Sequence, residues 1–263
     1  MKNGLKVENL YFKDILTDIN IELKPGTINA LVGKSGSGKT ILLKSIVGFV
    51  GYSGTISLDG IVFEDKNIED QIKNIGIYLN TKILDNKSVI SNLLDPLFNL
   101  NYQEEIAKKI VYEVANKLGI DDLLYREVNT LSHSQKKVVA FTQSIVHSPN
   151  LLLIDNLFDS LDEHYKEKIV SYLKSLKKNK KSIILFITNN GEDYMLADNL
   201  IIIKSGKIVE QGELKLLLKN ESLFIKNDVD MPFMSDLSNK MIAYELIDSP
   251  IYDMNEMVDA IWE

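Results

Sequence analysis

The sequence contains no cysteine, so disulfide bonds and thiolate metal sites are excluded. No apolar stretch approaches the ~20 residues that a membrane-spanning helix needs, and the first residues lack the apolar run of a signal peptide. We therefore expect a cytoplasmic chain, and we expect any role at a membrane to come through a partner.

An excess of positive charge is also missing. The 263 residues carry a formal net charge of −7, which argues against a protein that binds nucleic acid. Hydrophobic residues make up 45% and charged residues 25% of the chain, both ordinary values for a globular protein. The length is sufficient for one α/β domain with a small appendage.

One run of consecutive residues matches the phosphate-binding-loop pattern Gly-x-x-x-x-Gly-Lys-Ser/Thr. The run is Gly33, Lys34, Ser35, Gly36, Ser37, Gly38, Lys39 and Thr40. The glycines allow backbone N–H groups to face a phosphate, Lys39 supplies a positive charge for the β- and γ-phosphates, and Thr40 supplies a hydroxyl for Mg²⁺. A buried strand over 28–32 leads into the loop and a helix over 41–47 leaves it, so the positive end of the helix dipole faces the phosphates. The pattern predicts a nucleoside triphosphate site.

Strands and helices alternate around this loop, which predicts a parallel α/β core. Further strands are predicted over 5–10, 15–23, 54–60, 75–79, 151–155, 182–188, 200–203 and 207–209. Further helices are predicted over 134–146 and 159–176.

A helical insert is predicted over 88–146, because apolar residues there recur at every fourth position and place one stripe on a helix. The stripe consists of Ile106, Ile110, Val114 and Leu118. Gly119 is expected to end this helix. From 222 onward we expect helical pieces, so the predicted division is a nucleotide-binding domain over 1–221 and a C-terminal extension over 222–263.

Four lysines gather near the end of the helix predicted over 159–176. They are Lys177, Lys178, Lys180 and Lys181. Such a run can bind nucleic acid, or it can complement the negative end of a helix dipole. We favour the second interpretation.

From about 6 to 212 the chain resembles an ABC-type ATPase subunit, because its motifs follow the order of that family. After the phosphate loop and the helical insert, Leu131-Ser132-His133-Ser134-Gln135 stands in the place of the family's signature, and an apolar strand ending in Asp155 follows. The resemblance implies an α/β P-loop NTPase (RecA-like) fold with a parallel sheet core, an antiparallel β subdomain, a helical subdomain and a short C-terminal extension. It also implies that the ligands are ATP and Mg²⁺.

In that family two ATPase subunits face each other head to tail, and each ATP lies between the phosphate loop of one subunit and the signature helix of the other. The resemblance therefore implies that Ser132, His133, Ser134 and Gln135 face the nucleotide of a partner. Ser132 can hydrogen-bond the γ-phosphate, and the helix that begins near Ser134 directs its positive end at the same charge. His133 and Ser134 replace two glycines of the signature, and we interpret His133 as a surface substitution. Ser160-Leu161-Asp162 matches the D-loop, which touches the opposite subunit in the family; taken alone it would be a helix N-cap.

Three residues are implied as Mg²⁺ ligands: Thr40, Asp155 and Asn80. A lone buried carboxylate at the end of an apolar strand is costly without a cation, and Mg²⁺ shared between Asp155 and Thr40 would supply that cation. Asn80 stands where the family has a glutamine, and it keeps the amide group on a side chain that is one methylene shorter.

The residues of the hydrolytic step depart from the family pattern. Asn156 replaces the glutamate that acts as base, and Asn189 replaces the switch histidine. A neutral amide cannot take a proton, which removes general-base assistance worth about 10²–10⁴-fold, and Asn189 cannot titrate near neutrality as an imidazole does. We expect the chain to bind ATP and to hydrolyse it poorly; the alternative is that both asparagines are tolerated in an active enzyme.

The contact with adenine is poorly defined by the sequence. The family stacks an aromatic side chain on the base from the loop after the first strand, and Asp14 falls at roughly that place. Phe12 is our candidate for the stacking residue, and Tyr11 is the other aromatic nearby. Each is equally well explained as a core residue of the strand.

Two tail segments, 230–237 and 252–260, resemble the C-terminal extension of the ATPases of energy-coupling-factor importers; a generic capping tail is the other interpretation. We expect a peripheral subunit at the cytoplasmic face of the membrane that pairs with a second, sister ATPase. The expected membrane partners are a transmembrane component, whose coupling helices rest near the Asn80 loop, and a subunit that binds the solute. The alternatives are a fully active ATPase of another ABC transporter and a regulatory ABC protein outside transport.

Overall fold

Two β-sheets organise the residues that the computed structural model describes, which are 4–64, 67–80, 84–178 and 182–262. The strands are β1 Leu5–Phe12, β2 Leu16–Leu23, β3 Ile28–Val32, β4 Ser53–Leu58, β5 Ile61–Val62, β6 Ile75–Tyr78, β7 Leu151–Asp155, β8 Ile183–Ile187, β9 Asn199–Lys204 and β10 Lys207–Glu213. The helices are α1 Lys39–Ile46, α2 Ile68–Ile72, α3 Val89–Asn99, α4 Glu104–Leu118, α5 His133–Ile145, α6 Glu163–Lys178, α7 Gly191–Tyr194, α8 Leu214–Leu217, α9 Glu221–Lys226, α10 Phe233–Ala243 and α11 Met254–Trp262.

The larger sheet has the strand order β10-β9-β3-β8-β7-β6. Its strands pair in parallel from β9 to β6, and β10 joins the edge in the antiparallel direction. Every residue of β3, β7 and β8 is buried, as expected of parallel strands that are covered on both faces. Because parallel strands end at the same edge, the loops after β3, β7 and β8 converge there, and the predicted parallel core is confirmed.

The smaller sheet is antiparallel, in the order β2-β1-β4-β5, and it confirms the predicted antiparallel subdomain. It meets the larger sheet close to the phosphate loop. The backbone N–H of Thr17 donates to the carbonyl oxygen of Gly206 at 2.9 Å. The backbone N–H of Gly206 donates in turn to the carbonyl oxygen of Ser37 at 3.0 Å. The turn between β1 and β2 is therefore held beside the loop.

The apolar stripe predicted for the helical insert is partly wrong. Ile106 on α4 is 50% exposed, and the buried positions of that helix are Ala107, Val111, Val114, Ala115 and Leu118. A strict four-residue spacing drifts around a helix that has 3.6 residues per turn, and the core face follows positions three and four residues apart. The predicted end of the helix is confirmed, because Gly119 adopts the left-handed conformation at φ 67°.

The helix predicted over 159–176 begins later than expected, at Glu163, and continues to Lys178. The carbonyl oxygen of Asp159 accepts a hydrogen bond from the Lys137 ammonium, and the backbone N–H of Asp162 donates to Ser134 Oγ at 2.9 Å. These contacts with α5 hold the preceding residues in a turn.

The lysine run near the end of α6 is partly accounted for by the described residues. Lys177 forms an ion pair with the Asp198 carboxylate at the start of β9. Lys180 and Lys181 lie outside the described residues.

The C-terminal helices α9, α10 and α11 follow the larger sheet, and α9 begins at Glu221, close to the predicted start of the extension. Phe224 of α9 is buried and its ring stacks on that of Tyr194, with 6.4 Å between the ring centroids. No helix in the described part of the chain is long and apolar enough to cross a membrane.

The contact between β6 and α5 gives a prediction for stability. A Cβ at Gly76 would lie 2.2 Å from the carbonyl oxygen of Ser144 and 2.8 Å from Pro149 Cγ. We expect Gly76→Ala to lower the free energy of unfolding by about 1–3 kcal/mol, because backbone of α5 must move away. Denaturant unfolding measures the change. Gly51→Ala is the control, since a Cβ there meets nothing within 4 Å; an equal loss in both variants would contradict the packing argument.

Candidate functional site

The phosphate loop connects β3 to α1 and leaves the start of α1 open. Gly38 is the N-cap of α1, at φ 104°, and no side chain caps the helix there. The first N–H groups of a helix have no acceptor within the helix, and the first turn of α1 contains no acidic residue. Free N–H groups and the positive end of the dipole make this turn suitable for binding an anion.

Lys39 is almost fully buried within the loop. Its ammonium donates to the carbonyl oxygens of Gly33 and Lys34, the second at 3.0 Å. Burial lowers the pKa of Lys39, and the Asp155 carboxylate acts in the opposite direction. The charge of Lys39 is therefore held at the wall of the cavity over the loop.

That cavity has a volume of about 360 Å³ and is formed by loop, helix and strand-end residues. Its lining consists of Ile15, Ser35, Gly36, Gly38, Lys39, Thr40, Ile41, Asn156 and Asn189. The structure thus brings together most of the predicted phosphate loop and the two asparagines at the ends of β7 and β8.

Asp155 links β7 to the start of α1. Thr40 Oγ1 donates to Asp155 Oδ2 at 2.8 Å, and the carboxyl residue is 5% exposed. Burial raises the pKa of Asp155, although the hydrogen bond from Thr40 and the charge of Lys39 act to lower it. The groups of the protein around Asp155 therefore do not fully compensate the negative charge of its carboxylate.

The atoms around Asp155 fit Mg²⁺. In the described ranges the buried Asn156 Oδ1 has no hydrogen-bond partner within the protein, and the same amide donates to Asp155, so an oxygen ligand is available beside the carboxylate. The same ranges contain no group of three or more His, Asp or Glu that could hold a metal. Mg²⁺ in nucleotide sites uses one or two carboxylates together with phosphates and water, so a cage made only of protein groups is not required.

The two asparagines differ in how firmly they are held. Asn156 adopts the left-handed conformation at φ 50°, which asparagine tolerates well, and its Nδ2 donates to Asp155 Oδ1 at 3.1 Å. Asn189 follows β8 and is exposed. Neither amide can accept a proton at neutral pH.

Asn80 does not line the cavity over the phosphate loop. It lies two residues after β6, is exposed, and lines a second cavity of about 370 Å³ beside α5. Tyr78, Leu84, His133 and Lys136 also line this cavity. The structure therefore does not bring Asn80 together with Thr40 and Asp155, and its role at the metal stays a prediction.

The residues predicted to form the signature lie at the beginning of α5. Ser132 is the N-cap and forms a capping box with Gln135: the backbone N–H of Gln135 donates to Ser132 Oγ at 3.2 Å, and that of Ser132 donates to Gln135 Oε1 at 3.0 Å. Ser132 and His133 are exposed, whereas Ser134 is buried against the turn before α6. Ser132 can therefore meet another molecule, and Ser134 has a packing role.

Phe12 lies outside the cavity over the loop. It packs on the core of the smaller sheet, the Lys13 ammonium lies 5.3 Å from its ring centroid, and it lines a separate cavity with Tyr11 and Tyr52. Ile15 lines the cavity over the loop instead. The sequence alone does not reveal Ile15, because the turn between β1 and β2 reaches the loop only through packing of the two sheets.

Residues of the C-terminal extension also reach the loop. Asp228, Val229 and Asp230 line a third cavity, of about 270 Å³, together with Lys34 and Asn189. No local motif in the sequence indicates this contact.

Comparisons with known proteins agree with this geometry. The family model described as "ABC transporter" matches residues 16–159. The chain is 31% identical to the energy-coupling factor transporter ATP-binding protein EcfA1 of Mesomycoplasma hyopneumoniae over 254 residues, covering 95% of this chain and 91% of that protein. It is 30% identical to EcfA1 of Ligilactobacillus salivarius over 275 residues, covering 98% and 95%. The structure of cbiO1 from Clostridium perfringens, described as part of the ABC transporter complex cbiONQ, superimposes with a TM-score of 0.75 at 26% identity, covering 90% of this chain and 99% of that one.

The surroundings of Asp155 give a prediction for stability. Because its folded-state pKa is raised, the stability that this carboxyl contributes is present below its unfolded pKa and is lost as the pH rises through the folded value. We expect Asp155→Asn to raise the melting temperature of the nucleotide-free protein at pH 7, since the amide oxygen still accepts from Thr40. We also expect this variant to lose the Mg²⁺-dependent stabilisation by ATP, which in the wild type reaches about 2.7 kcal/mol at 100-fold excess over Kd.

Thermal unfolding with and without Mg²⁺ and ATP measures both effects. The exposed Asp248→Asn is the control and should behave as the wild type. Equal Mg²⁺-dependent stabilisation in Asp155→Asn and the wild type would exclude Asp155 as a ligand.

Proposed function

Because this chain belongs to the ABC transporter family, we propose that it is the ATP-binding subunit of an energy-coupling-factor importer, peripheral at the cytoplasmic face of the membrane. The observation that carries the proposal is the cavity over the phosphate loop, which is lined by the open start of α1, by Lys39 and by Thr40, whose hydroxyl donates to Asp155. The similarity to EcfA1 proteins, which extends over nearly the whole of both chains, supports the importer type.

Different residues of the site bind the phosphates and the metal ion of Mg-ATP. The N–H groups at the start of α1 and the Lys39 ammonium bind the phosphate oxygens. Thr40 and Asp155 would hold Mg²⁺, which would supply the positive charge that the Asp155 carboxylate lacks in the protein alone. The chemistry that the ion would supply is positive charge beside the phosphates of the nucleotide.

A second ATPase subunit completes the site. Ser132 is exposed at the start of α5 and does not line the cavity over the loop of its own chain. In the head-to-tail arrangement of the family, Ser132 faces the nucleotide held by the partner, and the partner's signature faces the nucleotide held here. The capping box keeps the start of α5 rigid for this contact.

The chain's own hydrolytic step is impaired. Asn156 and Asn189 occupy the ends of β7 and β8 at the cavity, and neither amide can take the proton of an attacking water. A homodimer would have two such sites, so we propose a heterodimer with a sister ATPase that carries the glutamate and the histidine. The membrane partners are a transmembrane component, whose coupling helices rest against the cavity beside Asn80, and a subunit that binds the solute.

A fully active ATPase is the second candidate, and one observation favours it. Asp228 and Asp230 line a cavity that Asn189 also lines, so carboxyl residues of the extension lie near that side chain. If one of them acts as the base, the wild-type chain will hydrolyse ATP without a glutamate at position 156.

The substitution Asn156→Glu tests the proposal. We expect it to raise the single-turnover rate of ATP hydrolysis by about 10²-fold or more, because a general base contributes about 10²–10⁴-fold. We also expect a stability loss of about 1 kcal/mol, since glutamate fits the left-handed conformation less well than asparagine does. Rates are measured with excess protein over radiolabelled ATP.

Asn156→Gln is the matched control, because it has the size of glutamate without the charge; it should leave the rate low. Rapid hydrolysis by the wild type that Asn156→Glu does not change would exclude the impaired site and favour the active ATPase. A stable homodimer with full activity would exclude the need for a sister subunit.

A further inference from the structure

The C-terminal extension lies directly against the helix that follows Asn189. α7 begins at Gly191, two residues after Asn189. A Cβ on Gly191 would lie 2.9 Å from the backbone nitrogen of Pro232 and 3.0 Å from the carbonyl carbon of Met231. The two backbones are therefore in contact. We name the segment 230–233 the C-terminal clamp. A residue larger than glycine at position 191 would force the clamp or the start of α7 to shift.

Two hydrogen bonds fix the clamp to α7. The Tyr194 hydroxyl donates to the carbonyl oxygen of Asp230, and the backbone N–H of Phe233 donates to Glu192 Oε1 at 2.7 Å. The ring of Tyr194 is fully buried and stacks on Phe224 of α9. Burial raises the pKa of Tyr194, so its hydroxyl remains a protonated donor.

On its other side α7 is fixed to the loop that carries Asn189. Thr188 Oγ1 donates to the nearly buried Asp193 Oδ2 at 3.0 Å and accepts from the backbone N–H of Asn190 at 3.1 Å. Lys166 of α6 forms an ion pair with Asp193 Oδ1 at 2.7 Å. The residues on both sides of Asn189 are therefore bound to α7, and α7 is bound to the clamp.

The position of Asn189 gives this connection a role. Its strand β8 lies between β3, which leads into the phosphate loop, and β7, which ends in Asp155. Asn189 lines the cavity over the loop together with Ser35, Gly36, Lys39 and Thr40. Because the lysine of a phosphate loop binds the β- and γ-phosphates, a side chain in the same cavity can contact the terminal phosphate of ATP, a group that ADP lacks.

We propose that the C-terminal clamp positions Asn189 for contact with the γ-phosphate, so that the extension sets how strongly the site distinguishes ATP from ADP. Gly191, Glu192 and Tyr194 are positioning residues in this arrangement, because they act through Asn189 and not on the nucleotide. The inference rests on the proposed function, since it requires that the cavity over the phosphate loop binds ATP.

Gly191→Ala tests the inference through the ratio of the Kd for Mg-ADP to the Kd for Mg-ATP. We expect the variant to lower this ratio about 5- to 10-fold, within the range of coupling between sites in proteins, and to leave the Kd for Mg-ADP within about twofold. Asn189→Ala should lower the ratio by a similar factor. The double variant Gly191→Ala/Asn189→Ala should lower it no further than Asn189→Ala alone, because one contact cannot be lost twice.

Calorimetry or nucleotide fluorescence on the purified full chain supplies the dissociation constants. If Gly191→Ala does not fold, Tyr194→Phe replaces it, since that change removes only the hydroxyl that donates to Asp230. Tyr172→Phe on α6 is the matched control, a buried tyrosine away from the clamp that should leave the ratio unchanged.

Each outcome decides one question. Failure of the wild type to bind Mg-ATP overturns the proposed function. A lower ratio for Asn189→Ala with an unchanged ratio for Gly191→Ala and Tyr194→Phe overturns the clamp and leaves the proposed function standing. Additive effects in the double variant, or equal weakening of ATP and ADP, would also overturn the clamp, because they indicate a general loss of structure.

Discussion

The contact between Thr40 and Asp155 is the constraint on which the site depends. It joins the first turn of α1, which follows β3, to the end of β7, two strands away in the sheet. A buried carboxylate without a full counter-charge opposes folding, and here the hydrogen bonds from Thr40 and Asn156 and the charge of the Lys39 ammonium compensate only in part. The same imbalance favours the binding of a cation, so in the proposed function a local cost to the nucleotide-free fold would become a gain on binding of Mg-ATP.

In the proposed function, binding and hydrolysis use different parts of the sheet edge, so one could be lost while the other is kept. The phosphate loop belongs to β3 and α1, whereas the positions that the family resemblance implies for the base and the switch residue lie after β7 and β8. Asn156 retains a structural use, because its amide donates to Asp155 and its backbone adopts a left-handed conformation that asparagine accepts readily. An amide there maintains the geometry around the carboxylate without adding a second negative charge beside it.

The features that could be predicted from the sequence are those that short stretches determine. The phosphate loop is a continuous motif, and β3 and β7 have the predicted bounds because four of the five residues of each strand are apolar. Contacts between segments that are distant in the sequence cannot be predicted from such short stretches. Ile15 reaches the loop only because the two sheets meet. Helix α6 begins later than predicted because a side chain of α5 binds the residues before it. The buried face of α4 includes two alanines, whereas the predicted stripe includes Ile106.

The C-terminal extension shows the same distinction between local pattern and tertiary contact. In the sequence, the segment 230–237 is notable only for its resemblance to the C-terminal extension of the ATPases of energy-coupling-factor importers, and that resemblance gives no reason why the segment should lie beside Asn189. The structure supplies a reason, because the backbone of 230–232 packs on Gly191. In addition, the carbonyl oxygen of Asp230 and the backbone N–H of Phe233 form hydrogen bonds with side chains of α7. Farther along, Tyr244 and Trp262 are 77% and 85% exposed. The later helices are also attached, because Asn239 Nδ2 of α10 donates to the carbonyl oxygen of Leu218 at 2.8 Å and Met257 of α11 is buried. The exposed apolar side chains of α10 and α11 thus belong to helices that are held in place, and the clamp is one route by which a change in their surroundings can reach Asn189.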